Sequence, residues 1–344
     1  MLFVLIILFI LAAYSSFFEH KNDAKKIIFF ILWCLCVSVA GFREAGCDKD
    51  SLAYLAVFNN NYTDIIVEKS FHIISSFVKL CFGHDFLFVL FIYAFIGISI
   101  KFIAIRQLTN LWFLACTIYI ANFFILQDMT QIRTGVATGM LLLSIKPLYE
   151  RRWKPFLLFS GIAIFFHYSA FLLLPLWILN TKNFNKYLYG SLIVLAYCFY
   201  FTGLTVTELL SYIPIEYIQE KLILNYKAIT IQAGSTTINP FTINQTLRLI
   251  ITVLLFWKLE RITNYNKYIP LLLKIYVIGI SSFLLFVDIP AFTLRISEFF
   301  QIVEIILIPS LIYTFKNKRI GIWLPISISI FFILMNLFHA KLIS

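Results

Sequence analysis

The densest group of chemically useful side chains in this sequence follows directly after an apolar run. Residues 27–42 are nearly all apolar, and residues 43–50 then include an arginine, a glycine and three acids. Ionisable groups close to hydrocarbon are costly, so in membrane chains they tend to mark substrate or ion paths. We therefore predict a functional site that contains Arg43 and Asp48.

Further ionisable residues lie at the ends of other apolar runs, and we expect them at the same face of a membrane. They are Asp128, Arg133, His167, Arg248, Asp288, Arg295 and Glu298. A guanidinium stays charged and grips phosphate oxygens in a fork, so the arginines suit a pyrophosphate or another anion. A carboxylate beside such a pocket suits a general base or a ligand for sugar hydroxyls.

Structural explanations for the same residues stay open at this point. Arg133 could form an ion pair with Asp128, and Arg295 could pair with the acid three residues later, Glu298. His167 could be a core histidine bonded to backbone, and Asp48 could only cap a helix that begins at Ser51. Lys101, inside an apolar run, is expected to extend to the inner interface.

Composition places these residues in a membrane protein. The chain has 344 residues, of which 61% are hydrophobic and only 13% are charged, and its mean hydropathy is +0.90. A soluble domain could not hide so much apolar surface. The apolar runs are continuous, and many approach the roughly 20 residues that a helix needs to cross a bilayer.

Clusters of lysine and arginine between the apolar runs predict the orientation, because such loops stay in the cytoplasm. They also carry the net charge of +11, so we expect no nucleic acid partner. Residues 43–85 and 204–245 are then outer loops, the first with surface helices at 51–58 and 71–82. The predicted fold is all-α, a single transmembrane domain over residues 1–344 with about 11–12 helices, one of them starting after Arg295.

In one stretch, the basic loops do not alternate between the two sides of the membrane as successive spans require. Residues 154–182 look like one long span, yet basic residues flank both of its ends. A broken helical hairpin solves the problem, with legs at 155–166 and 169–179 and the turn at His167, since irregular backbone is tolerated where it lines a cavity. The alternative is a single span that leaves Lys182 and Lys186 outside.

Metal and redox motifs are not evident, so we expect no metal and no cofactor. The six cysteines show no metal-binding spacing, and Cys47 and Cys81 could either pair in the outer loop or stay free. The templates of soluble enzymes, such as Gly-x-Ser-x-Gly and His-Glu-x-x-His, are also missing from the sequence.

Four short elements resemble, in order, the signatures of the EpsG family of Wzy-like polysaccharide polymerases. These elements are Phe42-Arg43 with Gly46-x-Asp48, Tyr54 and Phe58; Ile132-Arg133 with Ala137; Phe166-His167-Tyr168-Ser169-Ala170; and Arg295 with Phe299-Phe300. They span most of the chain.

The resemblance implies a membrane glycosyltransferase similar in plan to GT-C enzymes. Such a protein would join oligosaccharide units linked to undecaprenyl pyrophosphate at the outer face of the bacterial inner membrane, without a metal. Asp48 or His167 would be the catalytic base. The substrate-binding residues would be Arg43, Arg133, Arg295, Asp128, Glu298, Tyr54 and Arg248. Membrane lipid, a flippase and a chain-length regulator are the expected partners.

Two other classes of function remain open from the sequence. A transporter or flippase of lipid-linked glycans would also need an arginine-lined cavity. A membrane O-acyltransferase would use His167 as its base.

Overall fold

The computed structural model describes residues 1–18, 21–59, 68–203, 239–287 and 290–343, of which residues 290–292 are described by their backbone only. Within these ranges the chain is helical, and the β-bridge between Asp48 and Ile343 is isolated. The predicted all-α membrane fold is confirmed. The predicted outer loop at 204–245 lies mostly outside the described residues, as does Asp288.

The described residues form the following helices. In chain order they are α1 Leu2–Ser15, α2 Asn22–Gly41, α3 Ser51–Phe58, α4 Lys69–Phe82, α5 Leu87–Leu108, α6 Trp112–Thr130, α7 Ile132–Tyr149, α8 Trp153–Phe166, a 3₁₀ helix Tyr168–Ile178, α9 Lys186–Thr202, α10 Ile243–Trp257, α11 Leu259–Thr263, α12 Ile269–Leu285, α13 Pro290–Gln301, α14 Glu304–Ser310 and α15 Lys318–His339.

Four of the described helices are long and apolar enough to cross a membrane: α2, α5, α6 and α15. The pair α13 and α14 adds a fifth candidate, because the chain bends there by 51° and continues. The full count of 11–12 helices stays a prediction. The expected start of helix 10 after Arg295 is wrong, since α13 begins at Pro290, a residue suited to the first turn of a helix.

The broken hairpin is confirmed by contacts between the bases of its two legs. The Arg151 side chain donates to the Trp177 carbonyl at 2.5 Å, and the rings of Phe156 and Trp177 are 5.2 Å apart. Between the legs, His167 has extended backbone angles that end α8. The chain therefore enters the bundle along α8 and returns along the 3₁₀ helix to the end where it began.

The loops between the helices lie at two opposite ends of the bundle. At one end, here called the basic end, lie the loops 109–111, 150–152, 179–185, 258–268 and 315–317; Asn266 Nδ2, for example, donates to the Leu108 carbonyl at 2.8 Å. At the other, the site end, lie the loop 42–50, the α6–α7 junction and the C-terminal residues 340–343. Lys49 Nζ there donates to the Ala340 carbonyl at 2.6 Å.

Close packing of α5 against α6 and α7 sets the position of the α6–α7 junction. A Cβ added at Gly97 would lie 2.6 Å from Asp128 Oδ1, and one at Gly139 would lie 2.9 Å from Ile100 Cγ2. Small residues allow this approach between membrane helices. The approach holds Arg133, in the first turn of α7, in a fixed place at the site end.

Candidate active site

Arg43 joins two helix ends and is itself buried, with 1% of its surface exposed. Its Nε donates to Asp48 Oδ2 at 2.9 Å, and its two terminal nitrogens donate to the carbonyls of Ala40 and Met129. Carbonyls at the C-terminus of a helix have no partner inside the helix, so a cation there satisfies them. Arg43 thus ties the end of α2 to the end of α6.

Asp48 shapes the loop that follows. Its second oxygen, Oδ1, accepts from the backbone amides of Asp50 at 3.1 Å and Ser51 at 3.0 Å, at the start of α3. Gly46 makes the turn possible with a φ of +98°. Both Asp48 oxygens are therefore engaged, as the capping interpretation expects, and a catalytic role for this residue stays a prediction.

Glu68 connects two of the predicted site residues. Its Oε1 lies 2.7 Å from His167 Nδ1, and its Oε2 forms an ion pair with a terminal nitrogen of Arg133. Glu68 is only 5% exposed and precedes α4 directly. We call Arg133, Glu68 and His167 the Glu68 triad. Sequence reasoning missed Glu68, because nothing in its neighbourhood distinguishes it from the other acids of the loop.

In the Glu68 triad, His167 and Arg133 each have a polar atom without a hydrogen-bond partner among the described residues. His167 Nε2 and Arg133 Nε are buried and make no hydrogen bond with the described residues. The Arg133 guanidinium lies over the Tyr54 ring, 5.3 Å from its centre, and a fifth of its side chain is exposed. Buried polar groups usually have partners, so these two atoms are candidates for contact with a ligand.

Arg295 lies on α13 beside this group. Its side chain is exposed and makes no ion pair among the described residues. Burial and the neighbouring Asp48 carboxylate raise the pKa of Asp50, and the charges of Arg133 and Arg295 partly oppose that rise. The charge of Arg295 also acts on His167. The charges of two arginines thus act on one imidazole.

Asp128 lies away from this group, inside the bundle. Both of its oxygens accept from Lys101 Nζ at 2.9 Å, and Tyr119 donates to Oδ2 at 2.7 Å. Lys101 is fully buried, so its expected extension to the inner interface is wrong. Arg133 pairs with Glu68 instead of Asp128, because Lys101 already neutralises that carboxylate.

Arg248 and Glu298 line a neighbouring cavity of about 510 Å³. Arg248 Nε donates to Glu304 Oε1 at 2.7 Å, and Asn122 Nδ2 donates to Glu304 Oε2 at 2.9 Å. Glu298 accepts from Gln131 Nε2 at 3.4 Å. The suggested pair between Glu298 and Arg295 does not form in the structure.

No group of three His, Cys, Asp or Glu side chains within the described ranges is placed to hold a metal ion. All six cysteines fall inside those ranges and are free, so Cys47 and Cys81 are not paired. The side chains described at the site end include the guanidinium of Arg133 and an imidazole, both bonded to the Glu68 carboxylate.

Comparison with known proteins gives two matches. A model of the EpsG family matches residues 26–343 of this chain. The amylovoran biosynthesis protein AmsC of Erwinia amylovora is 21% identical over 345 residues, which cover 95% of this chain and 90% of the relative. No solved structure matches the chain.

Proposed function

This chain belongs to the EpsG family, and from that premise we propose that it is a polysaccharide polymerase of the bacterial inner membrane. It transfers a growing glycan from undecaprenyl pyrophosphate to a sugar hydroxyl of the next lipid-linked unit. The name of its relative, which refers to amylovoran biosynthesis, supports a biosynthetic role. The site end faces the periplasm or cell exterior, because the basic end carries the loops that the positive-inside rule keeps in the cytoplasm.

The Glu68 triad is the observation that carries the proposal. A carboxylate bonded to His167 Nδ1 fixes the ring and its tautomer, so that the lone pair is on Nε2. That nitrogen has no partner among the described residues and is free to accept a proton. A base oriented in this way, next to two arginines, fits the transfer of a glycosyl group from a pyrophosphate.

The reaction then proceeds in one balanced step. The acceptor hydroxyl gives its proton to His167 Nε2, and its oxygen forms a bond to the anomeric carbon of the donor glycan. The bond between that carbon and the phosphate oxygen breaks, and its electron pair leaves with the pyrophosphate. Arg133 and Arg295 stabilise the charge that develops on the leaving group. The proton later passes from His167 to water.

In this scheme Arg43 and Asp48 hold the backbone around the site in place. Their mutual pair and their bonds to Ala40, Met129 and Ser51 hold the ends of α2, α3 and α6 together. Tyr54 supports the Arg133 guanidinium with its ring. These are positioning roles, since the Arg43 nitrogens and both Asp48 oxygens already have partners within the described residues.

A complementation experiment tests the proposal. The gene is deleted in its host, and polymer length is measured after return of the wild type, Arg133→Ala, His167→Ala or the control Arg152→Ala at the exposed basic end. We expect single capped units from the deletion strain and from both site variants, because loss of a general base alone costs about 100-fold or more in rate. The control should restore full-length polymer.

Three results would contradict the proposal. If the deletion strain makes polymer of normal length, the chain is not the polymerase. If units accumulate on the cytoplasmic side, it is a transporter. If both site variants restore full-length polymer at wild-type protein levels, the Glu68 triad is not the catalytic group.

A further inference from the structure

The cavity beside the Glu68 triad has a chemistry different from that of the triad itself. It opens at the site end between α6, α10, α13 and α15 and measures about 510 Å³, within the range of roughly 300–1,000 Å³ common for ligand sites. Its lining combines apolar side chains with amides and hydroxyls, and the polar residues include Asn122, Asn244, Asn336, Gln301, Ser297 and Thr242.

Several of these groups have spare hydrogen-bonding capacity. Asn244 Oδ1 is buried and makes no hydrogen bond with the described residues. Asn336 uses its amide nitrogen on the carbonyls of Ala121 and Asn122, at 3.0 and 3.2 Å, which leaves its oxygen available as an acceptor. Gln301 likewise uses only its nitrogen, which donates to Ser297 Oγ at 2.5 Å.

The charges of the cavity argue against a phosphate as its occupant. Arg248 is neutralised by Glu304, and Glu298 lines the cavity with an acid where a phosphate site would need a cation. The density of amides equally argues against a lipid tail, because buried polar groups without partners are costly. Neutral hydroxyl groups satisfy both conditions, since they donate to carboxylate and amide oxygens and accept from amide and guanidinium nitrogens.

The cavity adjoins the proposed reaction centre. Glu298 lines the cavity and accepts from Gln131, which precedes Arg133 by two residues. Arg295 lies one helical turn before Glu298 on α13, and its charge acts on both Glu298 and His167. A sugar chain in the cavity would therefore reach toward the Glu68 triad.

We infer that this cavity binds the uncharged sugar chain of a lipid-linked unit, with Glu298, Asn244 and Gln301 bonding its hydroxyl groups. The inference rests on the proposed polymerase function. It assigns the two halves of the site end to different parts of the substrates, namely sugar hydroxyls to the cavity and pyrophosphate to Arg133 and Arg295.

Binding of a phosphate-free probe tests this assignment. The probe is a repeat-unit oligosaccharide cut from the host's own surface polysaccharide by partial acid hydrolysis, and its affinity for the purified full-length chain is measured by calorimetry. Asn244→Ala and Glu298→Gln should each weaken binding about tenfold. Asn110→Ala, the matched change at the basic end, should not change it. Arg133→Lys should bind the probe as the wild type does and yet make polymer at least tenfold more slowly.

A labelling measurement covers the case in which a cavity variant folds poorly. Leu294→Cys, at an exposed position on the cavity rim, is treated with a thiol reagent, and peptide mass spectrometry follows labelling at that position alone. The probe should slow the reaction at least fivefold. If the wild type does not bind the probe, or if the cavity variants bind it normally and position 294 stays unprotected, the inference is overturned. Normal polymer in the deletion strain would instead overturn the polymerase function.

Discussion

The two ends of the bundle use their cations in different ways. At the basic end, Arg151, Arg261 and Lys274 donate to backbone carbonyls, for example at 2.9 Å from Arg261 to Phe315 and at 2.5 Å from Lys274 to Asn183. At the site end, Arg43, Arg133 and Arg248 each pair with a buried carboxylate, and Arg43 also donates to two carbonyls. The ion pairs described at the basic end, Lys26–Asp23 and Arg152–Glu150, are exposed instead. Bonds from cations to carbonyls hold helix ends and loops together. An ion pair with a carboxylate fixes the direction of the cation's side chain.

The difference shows what a carboxylate contributes to a site. A buried ion pair adds little net stability, because desolvation of the two charges offsets their attraction. It does restrict each partner to one geometry, and in the Glu68 triad that geometry leaves Nε2 of His167 and Nε of Arg133 without a hydrogen-bond partner in the described ranges. Cations at the basic end donate to backbone carbonyls that water could also satisfy. The exact direction of these side chains therefore matters less.

The largest expected effect is a loss of folding stability when the buried ion pair between Lys101 and Asp128 is broken. Lys101→Met leaves Asp128 buried without its cation and should cost about 3–5 kcal/mol of folding free energy. The double variant Lys101→Met/Asp128→Asn should recover most of that loss, because the Asn oxygen still accepts from Tyr119. Thermal unfolding in detergent and the yield of monodisperse protein measure both. A single variant as stable as the wild type would show that the pair carries no such constraint.

Next in size is the effect of exchanging arginine for lysine at each end. Arg133→Lys keeps the charge but loses the fork and weakens the contact with Tyr54, so polymer synthesis should fall at least tenfold with little change in unfolding temperature. Arg151→Lys makes the same exchange at the basic end and should leave polymer synthesis unchanged. Equal activities for the two variants would remove the distinction between the ends.

A smaller effect is expected at the base of the hairpin. Arg151→Ala removes the donors to the Trp177 and Leu179 carbonyls and should cost about 1 kcal/mol, since water can replace the hydrogen bonds at this exposed position. Unfolding temperature measures the change. Polymer made per folded molecule should stay normal, and a loss of synthesis greater than the loss of folded protein would mean that the hairpin base takes part in the reaction.

The smallest effect concerns Asp50. Its raised pKa means that the folded chain holds this proton more tightly than the unfolded chain does. The ionised carboxylate therefore lowers stability as pH rises from about 4 through the pKa of Asp50 in the folded chain. Asp50→Asn should unfold at an equal or slightly higher temperature at pH 7, and the difference should shrink toward pH 4. A less stable variant at pH 7 would show that the ionised form is favoured by its arginine neighbours.

The hairpin and the Glu68 triad differ in how far the sequence could predict them. The hairpin followed from basic residues on both flanks of one apolar stretch, a rule that depends on charge and position along the chain. Arg133 and His167 stood out because ionisable groups are rare inside apolar runs. Glu68 stood out in no such way, since it lies in a loop with other acids, and its role depends on contact with residues 65 and 99 positions later.

The ion pair between Lys101 and Asp128 is a second feature that the sequence could not predict. Each is visible in the sequence as a charge in or beside an apolar run, but an apolar pattern does not say which helices adjoin. The pairing depends on the close approach of α5 to α6 and α7 at Gly97 and Gly135. That approach gave Asp128 a buried cation and left Arg133 for Glu68.

The sequence by itself predicted an all-α membrane protein that resembles the EpsG family, and it favoured a hairpin at His167. It could do so because hydropathy, charge bias and local motifs depend on residues near one another in the chain. Only the tertiary structure decided which carboxylate meets which cation and which polar atoms stay free. Those choices depend on packing between helices far apart in sequence, where a few ångströms separate a structural ion pair from a group that can meet a substrate.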